Sequence, residues 1–217
     1  MSRLVDLSHV VHDGLVTYKG LPAPKLSEYL GYADSSGRYA PGTTFHIGRI
    51  DMIANTGTYV DAPAHRFEGR PDVSALPLAS VANLPGVVID AGVDARAITA
   101  AALAGRDLRG CAVLFRTGWS RHFATDAYAL GHPFVAEDAA QALVEAGAAL
   151  VGIDSFNIDD TADLRRPAHT HLLAAGIPVC EHLTGLDQLP ASGFRFFAVP
   201  PPIRGLGTFT VRAFAIL

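Results

Sequence analysis

Apolar residues along this chain gather in short runs separated by Gly, Pro, Asp and Asn, and few of the runs have a helical period. Residues 3–8 (RLVDLS), 43–54 (TTFHIGRIDMIA), 86–92 (GVVIDAG), 110–118 (GCAVLFRTG), 148–155 (AALVGIDS), 176–182 (GIPVCEH), 193–200 (GFRFFAVP) and 207–217 (GTFTVRAFAIL) predict strands. In 43–54, Phe45, Ile47 and Arg49 share one face. Several runs are apolar at successive positions, as in a sheet covered on both sides. Three segments predict helices: 97–105, which is Ala-rich, 136–148, with early acidic residues and Gly147 as its stop, and 168–176, closed by Gly176. Strands and helices alternate in the second half, while the first sixty residues read as a β-rich arm. The class is mixed α/β. No Gly-rich phosphate loop follows a strand, which argues against a nucleotide site.

Residues 16–42 are rich in Gly, Pro and Tyr and lack periodicity. Such a stretch is either a binding or oligomerisation arm or a plain surface loop. The length of 217 residues fits one domain, 1–217, with a proper core. A net charge of -4 argues against nucleic acid as the main partner. The N-terminal residues carry no apolar run suited to a signal peptide or a membrane span, so the expectation is a cytoplasmic protein with no membrane contact. The two cysteines, Cys111 and Cys180, lie in apolar strand-like runs without metal-knuckle spacing and read as reduced core thiols.

Candidate chemistry gathers in three places. The first is Asn55 to His65, NTGTYVDAPAH. Gly57 permits an unusual turn and Pro63 fixes φ two residues after Asp61, so Asp61 and His65 can project from one loop into a common pocket; a lone Asp and His are more often surface or hydrogen-bonded structural residues. The second is RRPAHTHLLAAGIPVCEHL, with His169 and His171 near a helix start and Glu181 at the end of an apolar strand. A carboxylate after Val179 and Cys180 is costly unless paired or bound to a cation. His169 can also be a helix-cap residue, and His171 and His182 read as solvated or packed imidazoles. The third is VGIDSFNIDD, where Asp154, Asp159 and Asp160 are ligand carboxylates or turn formers and caps. Phe45, Tyr59, Phe67, Trp119 and Phe156 are aromatic candidates for a substrate pocket, or core.

Taken in order, LVDLSHVVHDGLVTYKG, NTGTYVDAPAH, GIDSFNIDD and AHTHLLAAGIPVCEHLTGLD resemble the cyclase-like metal-dependent hydrolases, which include bacterial kynurenine formamidases and isatin hydrolases. The resemblance covers nearly the whole chain. It implies a swivelling β/α/β fold, a mixed sheet with flanking helices, and a divalent-metal site that activates water against an amide, lactam or ester carbonyl, as in the arylformamidase reaction. The family's loop reads H-x-G-T-H-x-D-x-P-x-H. Gly57, Thr58, Asp61, Pro63 and His65 match it, but Asn55 and Tyr59 replace the two leading histidines.

Carried over position by position, one metal site survives as Asp61, His169 and Glu181, for Zn or Mn, and the histidine site is lost. An amide oxygen and a protonated phenol are poor replacements for imidazole. In this reading His65 shuttles protons, Tyr59 donates to a developing oxyanion or holds substrate, and Asn55 and Phe67 line the substrate. Two alternatives stand beside it. One is a metal-free lyase, isomerase or cyclase using His65 with the carboxylates; the other is a non-catalytic binding protein. The expected partners are a small-molecule substrate and further copies of the chain, as a homodimer or homotetramer. The arm and the apolar C-terminal run motivate the self-association.

Overall fold

The computed structural model of the chain describes residues 2–92 and 95–217. Nine strands form one mixed sheet in the order β1 (Leu4–Asp6), β13 (Phe214–Ile216), β11 (Ser192–Phe197), β5 (Leu84–Asp90), β7 (Ala112–Arg116), β9 (Leu150–Ile153), β10 (Val179–Glu181), β4 (Tyr59–Asp61) and β12 (Thr208–Thr210). The central β5, β7, β9 and β10 run parallel. The remaining pairings, on both flanks, are antiparallel.

The central strands are apolar at successive positions because both faces are buried. Val113, Phe115, Val151, Ile153 and Val179 point to one side, where they pack with Leu143, Leu172 and Leu173. Ala112, Leu114, Leu150 and Cys180 point to the other, against Val5, Val60, Phe194 and Phe196. Each fully buried Val, Leu, Ile or Phe contributes about 1.5–3 kcal/mol relative to exposure. The first core carries the helices α2 (Glu137–Ala146) and α3 (Pro167–Ala174). The mixed sheet with flanking helices is therefore as expected. Both cysteines are free and buried.

Helix α2 starts with Glu137 and Asp138, which complement the helix dipole, and stops at Gly147, whose φ of 74° suits a residue without Cβ. Helix α3 opens on Pro167, and its first free N–H groups are capped from outside: Ala168 N and His169 N donate to the Asp159 carboxylate at 2.6 and 3.1 Å. Asp159 is thus a cap, one of the two roles its sequence context allowed. Asp154 does neither job in its own loop; it ties across to the end of the neighbouring strand, accepting from Thr117 N and Gly118 N at 2.7 and 2.9 Å.

Three expectations change. Residues 97–105 do not form an α-helix; they give a two-residue strand, β6 (Ala97–Ile98), paired with β8 (Phe134–Val135), and a 3-10 turn at Ala100–Leu103. Alanine favours a helix but offers little surface to hold one in place, so the strand ladder prevails. The first sixty residues are not a single arm, because β1 belongs to the main sheet. The ribbon of β2 (Lys25–Leu30) and β3 (Ile47–Asp51) stands apart with every β3 residue exposed, and Phe45 and Ile47 stay outside the core. The apolar C-terminal run is explained by the sheet itself: Val211, Ala213 and Ala215 are buried in the second core. No helix among the described residues is long and apolar enough to cross a membrane.

Candidate active site

The site grows from the alternation of strand β4. Val60 points into the second core, so Tyr59 and Asp61 both point to the helix-covered face. Pairing then selects their neighbours. Glu181 of β10 lies opposite Tyr59, and Thr208 of β12 lies opposite Asp61. Cross-strand side chains on one face lie close enough to bond. The Tyr59 hydroxyl donates to Glu181 Oε2 at 2.6 Å, and the Thr208 hydroxyl donates to Asp61 Oδ1. Thr208 Oγ1 also lies 2.8 Å from His65 Nδ1, on the turn Pro63–His65 that follows β4. Helix α3 closes the group from above with His169.

His169 is held by one nitrogen and open at the other. Its Nδ1 is 2.6 Å from Asp159 Oδ2. Its Nε2 lies 3.5 Å from Asp61 Oδ2 and 3.8 Å from Glu181 Oε1. His169 Nε2 and Asp61 Oδ2 are both buried without a hydrogen-bond partner. Neither atom has a hydrogen bond and each faces the other at 3.5 Å, an ion pair while His169 keeps its Nε2 proton and a place for a shared cation once that proton leaves, since buried polar atoms are nearly always paired. Asp61, His65 and His169 offer ligand atoms within 4.8 Å of one another. A carboxylate behind a histidine is also the usual orienting partner for a metal-binding imidazole. The site residues therefore fit a divalent ion. Asp61 and His169 come together as the sequence suggested. His65, expected to move protons, joins the same group. Glu181 stands at its edge with Oε2 committed to Tyr59 and Oε1 accepting from Ile158 N at 2.6 Å.

The electrostatics follow from burial and near neighbours. Burial alone would discharge His169, but Asp159, Asp61 and Glu181 outweigh it and hold its pKa at about 10. Burial opposes the Asp61 carboxylate too, yet His65, His169 and Thr208 hold it below the usual range. Burial dominates at Glu181, pushing it up to about 7, with His169 working against the rise. It also raises Tyr59 well above the ordinary phenol value, with Glu181 adding to the rise, so the phenol keeps its proton, and a protonated phenol is a poor metal ligand.

Behind Tyr59 lies a polar cluster that the sequence did not reveal. The hydroxyl of Tyr18, from the irregular 16–42 segment, is 2.7 Å from the Tyr59 hydroxyl. Asn157 Nδ2 donates to Tyr18 at 3.2 Å. His182, fully buried and lowered by desolvation to about 3, places Nε2 at 3.2 and 3.3 Å from the two phenols and Nδ1 at 2.9 Å from the Tyr128 hydroxyl. It is the packed imidazole its context suggested.

A cavity of about 340 Å³ opens over these groups. Its walls include Asn55, Tyr59, His65, His169 and Glu181, together with Tyr18 and Leu21. Phe67 is not among them. It packs against the core beside the helices, so its expected substrate contact is replaced by a packing role. Phe156 packs against Tyr18 with its ring tilted by 59° and 4.7 Å between centroids, and the Trp119 indole donates to Tyr128 O.

Gly207 sets the approach of β12 to the His65 turn. A Cβ there would stand 2.5 Å from His65 N and 2.6 Å from its Cα, and the Gly207 carbonyl accepts from Ala62 N at 2.7 Å. These are backbone atoms that cannot swing aside. Gly207→Ala is therefore expected to cost about 1–3 kcal/mol, the usual price of overpacking. It should also displace His65 from Thr208. Thermal melting and the turnover of the folded variant check both effects.

Comparison with known proteins identifies the family and the fold. Residues 5–160 match the family model described as "Putative cyclase". The chain is 29% identical over 213 residues to a kynurenine formamidase of Salinibacter ruber, covering 97% of this chain and 95% of that one. Among solved structures it resembles isatin hydrolase A of Labrenzia aggregata bound to benzyl benzoate, with 26% identity, a TM-score of 0.83, and coverage of 100% of this chain and 94% of that one. It also resembles a protein described as a potential metal-dependent hydrolase with cyclase activity, at 29% identity and a TM-score of 0.81, covering 100% and 98% of the two chains. The mixed sheet and the family match agree, and the chain belongs to the cyclase family.

Proposed function

We propose that this protein hydrolyses the C–N bond of a small amide or lactam at a centre that holds one divalent cation on Asp61 and His169. The observation that carries this reading is the pair of facing, unpartnered atoms His169 Nε2 and Asp61 Oδ2. A kynurenine formamidase and an isatin hydrolase among the similar proteins support the amide class. A bound Zn²⁺ or Mn²⁺ would supply a Lewis acid that polarises a carbonyl and lowers the pKa of water.

The chain's own residues then divide the remaining work. Water adds its oxygen to the carbonyl carbon, the C–N bond breaks, and the products are a carboxylic acid and an amine. His65 stands in the cavity wall with its side chain 35% exposed, where it can take the proton from water and return it to the leaving nitrogen. Thr208 fixes that ring by its bond to Nδ1. Asn55 offers an amide to the substrate from the wall. The Tyr59 proton is committed to Glu181, so Tyr59 holds Glu181 and walls the cavity in place of the oxyanion role expected of it.

The test is hydrolysis of N-formyl arylamines, isatin-like lactams and small lactones by protein reloaded with Zn²⁺ or Mn²⁺. Turnover is expected on the amides or lactams, and His65→Ala should lower it by about 10²–10⁴-fold, the range of general acid–base catalysis. Turnover that survives His65→Ala intact would remove His65 from the mechanism. No turnover on any amide or lactam would remove the reaction class.

One observation favours a metal-free alternative: a protonated His169 has the carboxylates of Asp61, Asp159 and Glu181 at 3.5, 2.6 and 3.8 Å as counter-charges. The two readings separate by pH. An ion can bind Nε2 only by displacing its proton, and the proton leaves more readily as pH rises toward about 10. Metal uptake should therefore release about one proton from His169 per ion, and apparent affinity should climb about tenfold per pH unit across the neutral range. Calorimetry in buffers of different ionisation enthalpy measures the release. Full activity in thoroughly chelated protein would decide for the alternative.

A further inference from the structure

The cavity above the site has a cationic rim that the reaction itself does not require. Arg66 and Arg166 both line it. Arg66 follows His65 directly, and Arg166 stands one helical turn before His169, so the two arginines rise from the two walls whose imidazole rings come within 5.8 Å. Among the described residues, neither guanidinium makes an ion pair. Arg66 lies over the Phe67 ring at 5.3 Å, which leaves its N–H groups free apart from a long contact of Nε with Thr170 Oγ1 at 3.4 Å, and Arg166 Nη1 reaches the Asp160 carbonyl at 3.3 Å.

The contrast with neighbouring cations is informative. Arg165, the adjacent residue, pairs with Asp163 and Glu137. The Asp160 carboxylate, which could have served Arg166, is taken by Arg96 through both oxygens at 3.0 and 2.9 Å. Arg166 is half-buried and held at φ 52° and ψ 60°, a left-handed conformation that a side chain adopts at a cost. As the residue before α3 it makes no side-chain cap, so capping does not account for the strain. What the conformation does provide is a guanidinium on the cavity wall, with most of its donors unused.

We propose that Arg66 and Arg166 bind a carboxylate on the substrate, so that the preferred substrate is an anionic amide with the acid group on the part nearest the cavity mouth. This deepens the amide-hydrolase reading and rests on it for the reaction, though not for the binding. Guanidinium presents paired N–H donors that match a carboxylate, and such charge-assisted bonds are stronger than neutral ones. The remaining wall suits the rest of such a molecule: Leu21 and Tyr18 give apolar and aromatic surface, and the volume of about 340 Å³ admits a small ligand.

Two measurements on the metal-loaded protein test the proposal. The first compares kcat/KM for N-formylanthranilate with that for the methyl ester of the same compound. The parent should favour the acid, and Arg166→Gln should cut the acid-to-ester ratio about tenfold or more through KM, with Arg66→Gln acting in the same direction. The second titrates benzoate and benzamide calorimetrically, with no turnover involved. The parent should bind benzoate more tightly, and both Gln variants should erase the difference. Arg166→Gly is the fold control, because glycine accepts the left-handed conformation; it should melt no lower than the parent and still lose the preference.

A benzoate preference that survives both substitutions would place the anion on the metal centre and overturn the rim. So would an acid-to-ester ratio that stays unchanged in the variants. If benzoate binding needs the arginines while no amide is hydrolysed, the rim stands and the reaction class falls.

Discussion

Asp61→Ala is expected to abolish turnover, with a loss well beyond the roughly 10–100-fold that changes behind a metal ligand cause. Asp61 is fully buried and touches every group that matters: the Thr208 hydroxyl, His65 at 3.8 Å and His169 Nε2 at 3.5 Å. Removing it takes away one of the two orphan atoms that define the cation site. It also leaves the His169 charge with one counter-carboxylate fewer. Breaking a buried pair from one side costs about 3–5 kcal/mol, so the alanine variant should melt lower. Asp61→Asn separates the two effects: it keeps the shape and an acceptor for Thr208, but it offers no charge to a cation. It should lose metal and activity while recovering part of the stability. Asn55→Ala trims a half-buried wall residue and should lower activity by no more than about tenfold, the scale of one neutral hydrogen bond. Equal losses in folded Asp61→Ala and Asn55→Ala would show that the centre lies elsewhere.

Why Asp61, His169 and Glu181 were legible in the sequence, and Thr208 and Tyr18 were not, comes down to chain separation. Asp61 and His65 sit in one compact motif with Gly57 and Pro63, and Glu181 stands out as a carboxylate after an apolar run. Thr208 meets Asp61 across 147 residues, through strand pairing that no local pattern records. Tyr18 reaches Tyr59 from a segment without periodicity. The same limit explains the reading of 55–65 as a loop. Its centre is a three-residue strand, too short to show alternation, yet it pairs on both sides with β10 and β12. The fold was clearest where burial writes itself into sequence. Strands β7 and β9 are apolar on both faces because a core lies on each, and α2 carries its own stop in Gly147. It was least clear where propensity and context disagree, as in the Ala-rich 97–105, whose small side chains fix neither a helical face nor a strand.

Restoring histidine at both altered positions, Asn55→His with Tyr59→His, is expected to recruit one additional metal ion per chain. The geometry around these positions supports it. Gly57 keeps its left-handed turn at φ 66°, Asn55 lines the cavity, and Tyr59 shares its strand face with Asp61, two residues along. Imidazole at each position would supply a neutral nitrogen suited to Zn²⁺. The substitution is not free. Tyr59 is fully buried, and its hydroxyl serves Glu181, Tyr18 and His182, so the shorter imidazole leaves both a gap and broken hydrogen bonds. In chelator the double variant should be less stable by about 2–4 kcal/mol, the range for large-to-small changes in a core. Zinc should then return much of that loss, because an ion at a hundred times its Kd stabilises the folded state by about 2.7 kcal/mol. The measurements are metal stoichiometry and melting temperature, with and without zinc, for the parent and the double variant. A folded double variant with the parent's metal content, and no extra zinc-dependent rise in melting temperature, would mean that the Tyr59 hydrogen bonds have drawn this strand away from the spacing that a second ion needs.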